Sequence, residues 1–318
     1  MFKLYLSIVL SILVLSLISV SIGAADFDLA LLFSDSHTQT LLFASRLPRT
    51  FAALLTGASM AVAGVIVQLL VQNKFVEPGT TGASEAAILG LVIVTVLLPG
   101  FSIIGKILIS TLAALIGMAG FLLLIQRLPR DQPLLIPLVG LIYSGIIQAG
   151  AVFIAYQTDL LQYLGVWLNG EFSGAIAGRY ELLWLAGGAS LFAYIAADQF
   201  TIVGLGRSAS INLGLKYNQV MTLGLITVSM VTALVVTTVG VLPFVGLVVP
   251  NIVSRLMGDN LRRSLPIVAA LGASLVLTAD IVGRVVRFPY EIPAGTIFGA
   301  AGAAIFLWLL LKPAPHAQ

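Results

Sequence analysis

Cysteine is absent and histidine almost so, which removes two kinds of chemistry at once. Without a thiol there is neither a disulfide framework nor a thiolate metal site. The two histidines, His37 and His316, stand far apart, and neither G-x-S-x-G nor H-E-x-x-H occurs, so hydrolase or metalloenzyme chemistry finds no residues to build on. Charge is the third scarcity. Asp, Glu, Lys and Arg make up 9% of the chain, against about 25% in soluble domains. With 59% hydrophobic residues and a mean hydropathy of +1.09, the composition is that of a polytopic membrane protein. The net charge of +3 reflects topological bias and implies no nucleic-acid partner. Residues 100–107 (GFSIIGKI) have the G-x-x-x-x-G-K skeleton of a phosphate-binding loop, but Ile107 stands where the magnesium-binding hydroxyl belongs. If nucleotide powers this protein, another chain binds it.

What is present is a series of apolar runs with the length of membrane crossings, about 20 residues each. They cover 4–25, 50–73, 86–105, 107–126, 132–158, 182–197, 264–279 and 292–311. Between Lys216 and Arg255 a further 38 residues carry no charge, interrupted by Gly240, Pro243, Gly246 and Pro250. That is too long for one crossing and fits two short ones joined by a turn. Backbone freed by Gly and Pro at membrane depth must be buried in protein or line a cavity, so the break marks a pathway. The expected fold is an all-α polytopic membrane protein with about ten transmembrane helices plus short interfacial, re-entrant and coupling helices, in one domain over 1–318.

An even number of crossings puts both termini on one side. Taking them as cytoplasmic assigns Lys3, Lys74, Arg127, Arg130, Arg207, Lys216, Arg255, Arg262, Arg263 and Lys312 to the inner face. Arg46, Arg49, Lys106, Arg179, Arg284 and Arg287 fall outside, a bias of ten against six. Met1 to Ala25 reads as a retained first span, because its apolar stretch exceeds the 7–15 residues or so of a signal core. The mixed pattern of 157–179 suits a short interfacial helix. Residues 198–218 form a polar inward loop with Gly206 and Gly214 as turn signals and enough Ile and Leu for a sticky face, while 258–266 is a short basic connector. Small residues such as Gly57, Ala61, Gly64, Gly295, Gly299 and Gly302 let helices approach closely. Asp280 and Arg284 have the i, i+4 spacing of a local ion pair near a span end. The outward arginines Arg46, Arg49, Arg284 and Arg287 suit bidentate pairing with carboxylates, and equally contact with headgroup phosphates.

Several stretches then resemble a known family. RLPRT from Arg46, GASMAVAGVIVQ from Gly57, NKFVEPGTTG from Asn73, GLGRSASINLGL from Gly204, GVLPFVGLVVPNIVSRLMGDNLRRSLP from Gly240, ADIVGRVV from Ala279 and EIPAGTIFGAAGAAIFLWLLLK from Glu291 look like FecCD-type permeases. These are the membrane subunits of ABC importers for ferric siderophores, haem and cobalamin. The flavour of NKFVEPGTTG is closest to the catecholate ferric-siderophore branch. The resemblance implies a multi-pass permease in the bacterial cytoplasmic (inner) membrane. Its partners would be a second permease, either a homologous chain or a second copy, two cytoplasmic ATPases holding ATP and magnesium, and a periplasmic or lipid-anchored solute-binding protein. No cofactor is expected on this chain. Arg46, Arg49, Arg284 and Arg287 would dock the binding protein. Gly206, Arg207, Ser208, Ala209, Leu213 and Gly214, within a coupling loop of about 199–218, would engage the ATPase. Gln157 and Thr158 would form the outer gate. The chain departs from the family pattern at Arg207 and Ser208, where an acidic pair is common, and at Asn251, where His is frequent. A cobalamin or haem importer of the same architecture is the alternative, and a stand-alone secondary transporter or channel would need neither the docking arginines nor the coupling loop.

Overall fold

The computed structural model describes residues 2–23, 35–128, 134–258 and 260–311; Ala24, Ala25, Arg130, Asp259, Lys312 and His316, used in the sequence reading, lie outside them. The described residues form helices without strands. In chain order these are α1 (Phe2–Ser21), α2 (Ser36–Leu41), α3 (Leu47–Val71), α4 (Ala83–Leu97), α5 (Ile103–Ile125), α6 (Leu135–Gln157), α7 (Leu161–Leu168), α8 (Leu183–Ile195), α9 (Ala197–Gly204), α10 (Arg207–Asn212), α11 (Tyr217–Val239), α12 (Val245–Met257), α13 (Leu261–Val285) and α14 (Ala294–Leu311). Among the described residues six helical segments are long and apolar enough to cross a membrane, or seven if α8 and α9, bent by 69°, make one span. Three shorter apolar helices accompany them, within α1, α4 and α12.

Local chemistry sets the boundaries. The Ser102 side chain accepts the Gly105 N–H at the start of α5, and Asn260 does the same for Arg263 at the start of α13. Gln72 ends α3 in the left-handed region at φ 55°. The expected crossing over 86–105 is corrected. α4 starts three residues earlier and stops at Leu97, because Pro99 and Gly100 end it and Ser102 caps the next helix. The 182–197 run ends at a bend on Ala196 and continues as α9, so part of the inward loop is helical.

α3 is the central helix, packing on α8, α11, α12 and α13. Its glycines permit backbone contact. A Cβ on Gly57 would strike the Gly272 backbone of α13, and one on Gly64 the Gly246 backbone of α12. Two irregular segments penetrate the bundle from opposite ends. Residues 72–82 follow α3 and bring Gly82 against Tyr143, eight residues into α6, or about 12 Å at 1.5 Å per residue. Residues 240–244 follow α11 and bring Phe244 against Gly302, eight residues into α14. The two meet where Pro78 packs on Gly246.

Gly57→Val should therefore destabilise the fold by about 1–3 kcal/mol through overpacking. Gly188→Val, at an exposed position with nothing within 4 Å of an added Cβ, should not. Thermal unfolding of the two purified variants in detergent checks this ordering.

Candidate functional site

At one end of the bundle the sequence's isolated charges converge. Asp280, on α13 and 2% exposed, receives the Arg49 Nη2 at 2.7 Å and Nε at 3.1 Å on one oxygen, and the Arg284 Nη2 at 2.8 Å on the other. Arg49 Nη1 reaches Glu291 at 2.9 Å. Arg284 also donates to the Ser19 carbonyl at 2.8 Å, the Ile22 carbonyl at 2.7 Å and the Ser19 hydroxyl at 2.7 Å, while Arg46 donates to the Ile22 carbonyl. Ser19 in turn shares a 2.8 Å hydrogen bond with Thr50. The last carbonyls of a helix have no intrahelical donor. Here guanidinium groups from α13 and the α2–α3 junction satisfy those at the end of α1.

The expected local pair of Asp280 and Arg284 is thus one edge of a network joining α1, α3, α13 and the segment before α14. The four arginines expected to face outward differ in exposure. Arg46 and Arg284 are 6% and 3% exposed and are committed internally, and the Arg49 side chain is 14% exposed. Arg287 alone of the four is openly exposed, its guanidinium carbon 5.7 Å from the Tyr290 ring centre.

At the opposite end, α9 and α10 carry the predicted coupling residues. Gly206, with φ 100°, makes the turn between them, and the Ser210 hydroxyl hydrogen-bonds the Ile202 and Gly206 carbonyls, folding α10 back on α9. Arg207 and Ser208 are exposed and Ala209 is half-buried. Leu205, Ile211, Leu213 and Gly214 are exposed, with Gly214 at φ 80°, so the end of this hairpin is an apolar knob with a basic flank. Asp198 pairs with Arg262 at its base. Behind it lies a cavity of about 280 Å³ between α3, α9, α12 and α13, lined by Leu69, Gln72, Gly204, Pro250 and Ser264 among others.

Gln157 and Thr158 stand at the turn from α6 to α7; Gln157 is exposed, and the Thr158 hydroxyl donates to the Ile154 carbonyl at 2.8 Å. Asn251, unassigned from sequence, donates through Nδ2 to the Lys74 and Leu247 carbonyls, both at 2.7 Å. Two residues escaped sequence reasoning. Glu77 is 6% exposed and accepts the Phe244 N–H at 3.0 Å, and Glu85 on α4 has a buried carboxylate oxygen without a hydrogen-bond partner. Their signal was available, since acidic residues flanking a Pro-Gly turn between apolar runs are costly at membrane depth and need a reason to be there. Among the described residues no cluster of three His, Asp or Glu side chains could hold a metal ion.

Residues 6–312 match the FecCD transport family. The chain is 45% identical to the petrobactin import system permease protein YclN of Bacillus subtilis, over 98% of this chain and 99% of that one. It is 39% identical to the ferric-anguibactin transport system permease protein FatD of Vibrio anguillarum, over 96% and 98%. A solved metal-chelate type ABC transporter in an inward-facing conformation superposes with a TM-score of 0.83 at 25% identity, covering 98% of this chain and all of the other.

The charge network yields an ordered prediction. Asp280→Asn leaves the buried Arg284 without its paired counter-charge, leaves Arg49 with Glu291 alone, and should cost about 3–5 kcal/mol. Glu291→Gln, at a 29% exposed side chain, should cost about 1 kcal/mol or less. Thermal melts of the two variants in one detergent should keep that order; equal losses would contradict it.

Proposed function

The chain belongs to the FecCD transport family, and from that membership we propose that it is the permease subunit of an ABC importer, passing a ferric siderophore across the bacterial cytoplasmic membrane by ATP-driven alternating access. The observation that carries the substrate class is the similarity, along nearly the whole chain, to permeases named for petrobactin and ferric anguibactin. A chelate that hides its iron inside organic ligand needs a wide, uncharged wall. The exposed face of α6 and α7, with Leu138, Ile142, Ile146, Phe153 and Tyr163, has that character and suits the seam between this chain and a second permease.

On this reading residues 1–318 are one permease domain that does no chemistry itself. ATP and magnesium belong to two partner ATPases, which the knob of Leu205, Arg207, Ile211 and Leu213 engages from the cytoplasmic side. Ten crossings follow when the three shorter apolar helices and the bent pair are counted with the six long ones. Both termini are then cytoplasmic. The contacts are consistent with that arrangement, since residues assigned to one side meet each other: Arg49 with Asp280 and Glu291 outside, Lys74 with Ser254 and Asp198 with Arg262 inside. For docking of the solute-binding protein we assign Arg287 the direct contact with an acidic side chain. Arg49 presents its remaining edge, and Arg46 and Arg284 hold the platform rigid.

Uptake of radiolabelled iron supplied as a panel of chelates, in cells with and without the chain, tests the function. Uptake of catecholate-type ferric siderophores should vanish on deletion. Arg287→Glu should lower it about ten-fold, with recovery when an acidic residue of the binding protein is reversed to Lys. Unchanged uptake across the panel after deletion, cobalamin and haem included, would contradict the proposal.

A further inference from the structure

The structure assigns Glu77 a positioning role in the transport step: it fastens the re-entrant segment 73–82 to the N-terminus of α12, so that segment and helix move as one body. The inference rests on the transport function proposed above.

α12 begins inside the bundle without a cap of its own. The residue at its N-cap position is Phe244, which has no capping group and sits at φ 65°, a conformation costly for an aromatic residue. The first N–H groups of a helix have no partner within it, and lipid supplies none. Glu77 supplies the acceptor from another part of the chain. Its carboxylate takes the Phe244 N–H at 3.0 Å. A carboxylate is the group that a helix N-terminus favours, because the bonds are charge-assisted and aligned with the helix dipole.

Glu77 is itself held in place. Its N–H donates to the Thr80 hydroxyl at 2.9 Å, and its carbonyl accepts from that hydroxyl at 3.0 Å and from the Thr81 N–H at 3.2 Å. Further along α12 the same segment is tied twice more, by Asn251 Nδ2 on the Lys74 carbonyl at 2.7 Å and by Lys74 Nζ on the Ser254 hydroxyl at 3.1 Å. Residues 247, 251 and 254 recur at one-turn spacing and so share one face of α12. Separating the two elements would leave a buried carboxylate and the Phe244 N–H without each other.

The far side of the segment touches the wall of the pathway. The Thr80 carbonyl lies against Gly140 and Gly82 against Tyr143, both on α6, whose other end carries Gln157 and Thr158. Displacement of α12 is therefore passed through Glu77 to the helix that bears the expected gate.

Because the chain has no cysteine, tethers can be introduced without background. The assay is ferric-siderophore uptake by the complete importer in proteoliposomes, with ATP hydrolysis and subunit assembly measured alongside. Glu77→Ala should lower uptake about ten-fold or more, while hydrolysis and assembly stay within about two-fold. Joining Lys74→Cys to Ser254→Cys with a short bifunctional thiosulfonate should leave uptake by the otherwise native chain within about two-fold and restore most of the loss in Glu77→Ala. Normal uptake by Glu77→Ala, a tether that blocks the native chain, or a tether that fails to restore the variant would each overturn the assignment. If Glu77→Ala does not assemble, Glu77→Leu, which removes the acceptor but keeps the bulk, takes its place in the same comparison. No uptake by the untouched chain would count against the transport function rather than against Glu77.

Discussion

A peptide group in a bilayer must find its hydrogen-bond partner inside the protein, and this requirement explains most of what is unusual here. Regular helices meet it by themselves. The breaks and ends do not, and at three of them the chain places a charged or amide side chain. Arg284 and Arg46 take the last carbonyls of α1, Glu77 takes the Phe244 N–H at the start of α12, and Asn251 takes the carbonyl of Lys74. The buried charges of Arg46, Glu77, Asp280 and Arg284 are thus accounted for by backbone termini and by one another, whereas the buried carboxylate oxygen of Glu85 is not.

That economy suits a conduit. A bundle held by glycine contacts along α3 and by a few charged fasteners has bodies that are rigid internally and meet along smooth seams, and rigid bodies on smooth seams can rock. The exposed knob at α9 and α10 and the arginine platform at α1, α3 and α13 lie at opposite ends of α3, which touches most of the elements between them. In the proposed cycle, force applied at the knob reaches the platform through this central helix, and reaches the pathway wall through α12 and the segment 73–82.

Much of this was legible from composition and spacing. Long uncharged runs gave α1, α3, α5, α6 and α14 to within about four residues, the run over 264–279 fell six residues short of the end of α13, and the four helix-breaking residues after Lys216 located the break between α11 and α12. The arginines expected to dock a binding protein were harder. Arg46 and Arg284 look exposed in one dimension because they border spans, yet in space they face the end of α1, a contact across more than 200 residues for Arg284 that no local pattern encodes. The depth of 72–82 was hidden for a related reason. An acidic residue beside a Pro-Gly turn between apolar runs hints at it, but only the three-dimensional meeting with Phe244 shows what Glu77 binds.

The central claim is that the knob and the platform lie on opposite sides of a membrane. Single cysteines in this cysteine-free chain, at Ile211 and at Tyr290, both exposed, can be labelled in intact cells with a membrane-impermeant maleimide. Tyr290→Cys should be labelled from outside, and Ile211→Cys only after the membrane is permeabilised. Labelling of both from the same side would contradict that claim.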